Sequence, residues 1–182
     1  MILIRFVTKE RTAGVGPSES GETPTDDRRG ESISNLVVRP LGYVENEPVI
    51  RRIGDRDLYL GNRHAADPTC HDRAFEYVLS VSTDCYPLTT HHHPLDDGSD
   101  NEWDQFERAV DTARTLYDRD GSLLIHCTAG ISRSSTLVAA TLAAEEKREF
   151  HDALSVVQRA RPSATPHPAL HELAIVYLAA QE

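Results

Sequence analysis

The stretch His126-Cys127-Thr128-Ala129-Gly130-Ile131-Ser132-Arg133-Ser134 constrains this chain more than any other. It follows Ser122-Leu123-Leu124-Ile125, a short apolar run bounded by Asp120-Gly121, which reads as a buried strand. It runs into Ser134-Ser135-Thr136-Leu137-Val138-Ala139-Ala140-Thr141-Leu142-Ala143-Ala144, which reads as a helix opened by hydroxyl residues able to cap it. A cysteine therefore ends a strand, a tight turn follows, and a helix begins at an arginine.

That order of parts suits a phosphate or sulfate-like anion. The backbone N–H groups of Thr128, Ala129, Gly130, Ile131, Ser132 and Arg133 can turn inward as an anion nest, and the helix N-terminus adds unpaired donors and the positive end of its dipole. Gly130 permits a backbone angle that a side chain resists. Arg133 offers a planar two-pronged donor, which a lysine does not. The same field lowers the pKa of Cys127, and Ser134 can hydrogen-bond its sulfur and help it leave later. Alone, the cysteine reads as a core thiol and the arginine as a surface charge. Together, at this spacing, they read as a nucleophile facing a bound phosphoryl group.

Hydrolysis through such a sulfur needs an acid to protonate the leaving oxygen and then a base to activate water. One carboxyl on a mobile loop can serve both steps. Asp96-Asp97-Gly98-Ser99-Asp100 lies beyond one candidate strand and before a helix, and it fits; the plainer reading of that run is a solvated acidic turn.

The pattern His-Cys-x-x-Gly-x-x-Arg-Ser resembles the signature of the cysteine-dependent protein phosphatases, and residues 50 to 180 are similar to their dual-specificity branch. The resemblance implies a phosphotyrosine protein phosphatase-like fold. It also implies a phosphorylated protein as substrate, a cysteinyl-phosphate intermediate and no metal or organic cofactor. In that family the acid lies about thirty residues before the cysteine, after a Pro-apolar-x pattern. Pro94-Leu95-Asp96-Asp97 matches, since 127 − 97 = 30, so Asp97 ranks first, Asp96 second and Asp100 third. Leu58-Tyr59-Leu60-Gly61 is similar to an early strand of the family. The Asn-Arg-Tyr context of the tyrosine-specific branch is absent here, which implies a shallower site open to phosphotyrosine and phosphoserine or phosphothreonine. The uncharged Thr128, Ala129, Ile131 and Ser132 argue against inositol polyphosphates and RNA 5′-triphosphate ends. Arg161-Pro162 matches a family feature, but His167 stands where asparagine is usual and no phenylalanine follows. Rival functions are the same chemistry on a small metabolite or nucleic-acid end, and a phospho-binding module with little turnover.

At 182 residues and 39% hydrophobic, one domain is the default. Residues 8 to 35 are rich in Gly, Ser, Thr, Pro and charge, so 1–35 is expected to be a flexible tail and 36–182 the catalytic domain. Short strands are expected in 49–61, at Tyr77–Ser82 and at Leu88–Leu95, with a short helix at 69–76, an amphipathic helix at 101–118, and two C-terminal helices around Ala153–Val157 and Leu170–Leu178. The alternation points to an α/β three-layer sandwich with a central, mainly parallel sheet flanked by helices.

The charge balance, 29 Asp+Glu against 19 Lys+Arg for a net −10, disfavours nucleic-acid and anionic-membrane partners. Lys9 and Lys147 are the only lysines. A high-salt cytoplasm favours such a surface, and a GC-rich genome also favours arginine over lysine. No apolar run spans a bilayer, and Met1–Val7 is too short for a secretory signal core, so a cytoplasmic protein is expected. Three cysteines make no secreted disulfide framework; Cys70 or Cys85 trapping an oxidised Cys127 competes with their being small buried thiols. His91-His92-His93 cannot converge on one metal from a strand, because alternate residues face opposite sides. By the same alternation His126 is expected to turn away from the phosphate, into hydrogen bonds that fix the loop.

Overall fold

The computed structural model describes residues 44–181, so the expectations for the tail and for a domain start near residue 36 lie outside the described residues. Five strands form one sheet: β1 (Ile50–Arg52), β2 (Leu58–Gly61), β3 (Tyr77–Ser80), β4 (His91–His92) and β5 (Leu123–His126). Their spatial order is β1-β2-β5-β3-β4; β1 pairs antiparallel with β2 and every other pairing is parallel. Four helices complete the described fold: α1 (Trp103–Tyr117), α2 (Arg133–Glu146), α3 (Phe150–Ala160) and α4 (Pro168–Ala179). The fold is thus α/β, with a mainly parallel central sheet flanked by helices.

Residue alternation sorts the two faces of the sheet. Leu58, Leu60, Leu79, Leu123 and Ile125 join one buried core with the helices. Tyr59, Val78 and Leu124 face the other way, under a 3₁₀ turn at Arg63–Ala66 and the side chains of Phe75, Tyr86 and Leu88. Helix α2 is buried continuously from Arg133 to Ala143, all but its last turn, as the small Ala/Ser/Thr-rich sequence permits. The parallel strands β2, β5 and β3 all end on one edge, where Gly61 and Ser80 both pair with His126. Chains leaving the carboxyl edge of a parallel sheet form its ligand crevice, and the signature loop leaves the central strand there.

Two expected elements differ. Residues 69–76 form no helix: His71 bonds the Ala65 carbonyl at 2.9 Å, Phe75 packs edge-on to Tyr59 at 5.4 Å, and Arg73 lies 4.2 Å above the Tyr59 ring. Covering the sheet with those side chains holds the backbone out of a helix. The strand expected over Leu88–Leu95 shrinks to His91–His92, because Leu88 and Thr89 give their amides to Ala66 O and Tyr86 O instead of to β3 and Pro94 brings no N–H to a ladder. No helix of the described residues is long and apolar enough to cross a membrane.

Candidate active site

The signature loop is held by its carbonyls. Thr128 O accepts from Arg63 N at 3.2 Å, and Ile131 O from Thr165 N at 2.8 Å. Arg161 donates to Gly130 O at 3.3 Å and to Ala129 O at 3.4 Å, while its Nη1 pairs with Glu45 at 2.6 Å. Ser132 O accepts from Thr136 N at 2.9 Å. In a trans peptide the C=O of one residue and the N–H of the next point in opposite directions. Carbonyls tied to the protein body therefore turn the N–H groups of residues 129 to 133 the other way, to the concave side of the loop.

Gly130 makes that curvature possible. Its φ is +66°, and a Cβ there would lie 2.9 Å from the Gly61 carbonyl. Gly61 is hemmed in as well: a Cβ would lie 2.6 Å from that of Ala65. The loop rests backbone on backbone against the end of β2, which explains the glycine that closes Leu58-Tyr59-Leu60-Gly61.

Cys127 is buried, 2% exposed, on the helix side of the sheet. Its Sγ accepts the Gly130 N–H at 3.3 Å and lies 3.2 Å from Ser134 Oγ. Burial pushes the thiol pKa up. The Arg133 guanidinium, the hydroxyl and amide of Ser134 and the amide of Ile131 outweigh it, so the thiol sits below its usual range. Arg133 is itself buried; it donates to Leu95 O at 3.1 Å and to Thr128 Oγ1 at 3.0 Å, and its Nε has no acceptor among the described residues.

The hydroxyls that were expected to cap α2 do something else. Ser132 is the N-cap residue but makes no capping bond; its Oγ accepts from His167 N at 2.9 Å. Ser135 Oγ and Thr136 Oγ1 bond back to the Ser132 carbonyl at 2.8 and 2.9 Å. Side chains thus leave the first-turn donors of α2 to an anion.

The acidic run follows β4, and the Arg133–Leu95 bond ties its base to the signature loop. Asp96 has its N–H and C=O both bonded to the Asn101 side chain, at 2.7 and 2.9 Å, and Asn101 also donates to Gly98 O at 3.2 Å. Asp97, Asp96 and Asp100 are all exposed, on a turn clamped by Asn101 two residues from the Arg133 contact. Asp97 thereby stands on a segment that Arg133 itself holds.

His126 turns to the opposite face of the sheet from Cys127, as alternation requires. It is not fixed by ring hydrogen bonds: neither nitrogen has a partner among the described residues, and the ring packs edge-on to Tyr86 at 5.3 Å. Burial drives its pKa down to about 4, against an upward pull from the Cys127 backbone, so it is neutral at neutral pH. His92 bonds Ser82 O at 2.9 Å and His93 bonds Thr112 at 3.0 Å; the described residues contain no cluster of three or more His, Cys, Asp and Glu placed to hold a metal. Cys70 and Cys85 are free thiols, with Cys70 Sγ 3.7 Å from His64 Nδ1.

Arg63, Asn62, Thr165 and Asn101 escape motif reading, and Arg161, legible as part of an Arg-Pro pair, gains its role only from the contacts above. Asn62 accepts from the amides of Val49 and Ala65 at 3.0 and 3.2 Å, fixing the turn after β2 that presents the Arg63 amide to the loop. The Arg161–His167 segment is a buttress of the signature loop. His167 caps α4, its Nδ1 accepting from Ala169 N at 3.2 Å.

A cysteine in an amide-lined loop, between the central strand of a parallel sheet and a buried helix, defines a cysteine–arginine oxyanion site. The comparisons give the family. The model described as "Dual specificity phosphatase, catalytic domain" matches residues 58–177, and the chain belongs to that family. It is 29% identical over 160 residues to the MAP kinase phosphatase with leucine-rich repeats protein 3 of Dictyostelium discoideum, covering 78% of this chain and 18% of that protein. It is 41% identical over 64 residues to mouse dual specificity protein phosphatase 19, covering 35% of this chain and 29% of that one. The chain thus spans less than a third of either curated relative. The crystal structure of human DUSP28 superposes with a TM-score of 0.63 at 22% identity, covering 74% of this chain and 97% of that one, a likeness of fold.

Proposed function

We propose that this protein hydrolyses phosphate monoesters on phosphotyrosine, phosphoserine or phosphothreonine of proteins. The observation that carries the proposal is Cys127 Sγ set beside Ser134 Oγ and the Gly130 amide, in a loop whose carbonyls are all held outward. The family match supports the same reading. The phosphate sits on the amides of residues 129 to 133, with two oxygens on Arg133. The Cys127 thiolate attacks phosphorus as the P–O ester bond breaks, and Asp97 gives its proton to the departing oxygen. Water then attacks the phosphocysteine; Asp97 takes its proton, the P–S bond breaks, and the hydroxyl of Ser134 stabilises the returning thiolate. No step calls for a metal or organic cofactor.

Hydrolysis of p-nitrophenyl phosphate tests this. Wild-type turnover that survives EDTA and is abolished in Cys127→Ser is the expected result; turnover retained in Cys127→Ser refutes it. A panel of phosphopeptides, nucleotides and sugar phosphates then assigns the substrate class, with peptides expected to lead. The free cysteines and the net charge of −10 are compatible with a cytoplasmic, salt-adapted setting, against which a GC-rich genome is the equal alternative. The melting temperature should then rise in molar KCl, and a flat response removes the salt adaptation.

A further inference from the structure

Away from the signature loop, a cavity of about 690 Å³ opens between the β1–β2 hairpin and the junction of α2 with α3. Four arginines line it, Arg52, Arg56, Arg148 and Arg159, together with Asp55. So basic a lining runs against a chain of net charge −10. Its volume falls within the usual range of ligand pockets, about 300–1,000 Å³.

Three of the four guanidinium groups are oriented. Arg52 donates to Arg56 O at 2.8 Å and Asp55 O at 2.9 Å, and pairs with Asp57 at 3.1 Å. Glu146, at the end of α2, binds Arg56 through one oxygen and Arg148 through the other, the latter at 2.6 Å. These contacts use only part of the five N–H donors each arginine carries. Arg148 Nε is buried with no acceptor among the described residues, an unfavourable state that an added acceptor relieves. Arg159 is exposed on α3 and has no partner among the described residues. Oriented forks with unused donors, one of them buried, fit a compact oxyanion that accepts several bonds at once.

We infer that this cleft is a second anion site, built for a phosphate monoester dianion. Helix α2 carries the signature loop at its start and Glu146 at its end, about 20 Å apart by its rise per residue. The second phosphate is therefore not the one being hydrolysed. Its source is either another phosphorylated residue of the substrate chain or free phosphate. An extended peptide needs at least about six residues to span that distance.

The test uses the full chain at low ionic strength, where such contacts are least screened. Inorganic phosphate is titrated while the arginine Nε–H signals and the signature-loop amides are followed by NMR. Saturable shifts at Arg148 and Arg159, lost in Arg159→Glu and weakened in Arg148→Gln while the loop amides still respond, are expected. Shifts confined to the loop amides overturn the site. In the second arm, a peptide with a second phosphate ten residues from its phosphotyrosine is compared with the singly phosphorylated peptide. About a tenfold gain in kcat/KM, the effect of one charge-assisted hydrogen bond, is expected in wild type and lost in Arg159→Glu, with p-nitrophenyl phosphate turnover unchanged. Equal peptide rates with intact cleft shifts assign the site to free phosphate; a gain that Arg159→Glu leaves untouched overturns the cleft as the docking point. Cleft shifts in a protein that turns over no phosphoester sink the hydrolase reading and leave this site standing.

Discussion

Replacing Ser134 by alanine isolates one contact of Cys127, the nucleophile of the proposed reaction. Its Oγ lies 3.2 Å from Cys127 Sγ and is fully buried, so no water takes its place easily. Burial works against the thiolate, and the offset comes from Arg133, from Ser134 through hydroxyl and amide, and from Ile131. A hydrogen bond to a charged group contributes about 1.5–3 kcal/mol. At about 1.4 kcal/mol per pKa unit, deleting the hydroxyl should raise the Cys127 pKa by roughly one to two units, with the amide contributions left in place. The readout is the pH dependence of Cys127 alkylation by iodoacetate, followed by mass spectrometry of its peptide, since only the thiolate reacts. Turnover should report the same loss differently. Thiolate is the leaving group of the second step, so that step slows and a burst of p-nitrophenol precedes a reduced steady rate. Stability shifts as well. The native sulfur is ionised where the unfolded thiol, near pKa 8.5, is protonated, so unfolding takes up a proton and stability rises with pH across that window. The window narrows in Ser134→Ala. An alkylation midpoint equal to that of wild type, with no burst, would refute the assignment of the hydroxyl to the sulfur.

Asp97→Asn should lower kcat on a phosphoester with a poor leaving group by about two orders of magnitude or more, and Asp96→Asn by far less; comparable losses would move the acid to Asp96. Asn101→Ala, which frees the clamped turn, should give an intermediate fall in kcat with the melting temperature little changed. Gly130→Ala combines a left-handed backbone with a Cβ 2.9 Å from the Gly61 carbonyl. It should destabilise the protein by about 2–4 kcal/mol and lower its melting temperature by roughly 5–15 °C, measured by calorimetry. His126 stays neutral in the fold to a pKa of about 4, while the unfolded side chain protonates near 6.5. The unfolded state therefore binds the extra proton between those values, and stability should fall by about 3 kcal/mol as pH drops through that window. Urea titrations at pH 7 and 4.5 measure it, and His126→Phe should remove most of the slope.

How far the chain could be read depended on whether a residue's meaning was local. Cys127, Gly130 and Arg133 are bound to one another by a turn between a strand and a helix, and the turn's chemistry follows from spacing alone, so they were legible. The central strand was legible for the same reason: Leu123, Leu124 and Ile125 are apolar on both faces because both faces are buried. Residues 69–76 misled because their composition suits a helix, whereas their conformation is decided by Tyr59, which contacts Arg73 and Phe75 from β2. Tertiary packing overrode propensity there. The capping hydroxyls misled in the opposite sense. Ser132, Ser134, Ser135 and Thr136 are good cap residues, yet Ser134 is spent on the sulfur, Ser132 on the His167 amide, and Ser135 and Thr136 on the Ser132 carbonyl. A helix start that must bind an anion cannot also be closed by its own side chains, so hydroxyls engaged away from the first-turn amides are what such a site requires. Arg161 was legible only as half of an Arg-Pro pair and not as a buttress, and Arg63 was beyond reach, because each acts on the outer, carbonyl side of a loop whose inner side alone has a motif. Their partners, Gly130 and Thr128, lie 31 and 65 residues away in sequence. The inner surface binds because the outer one is held, and that second half of the site is written in long-range hydrogen bonds rather than in spacing.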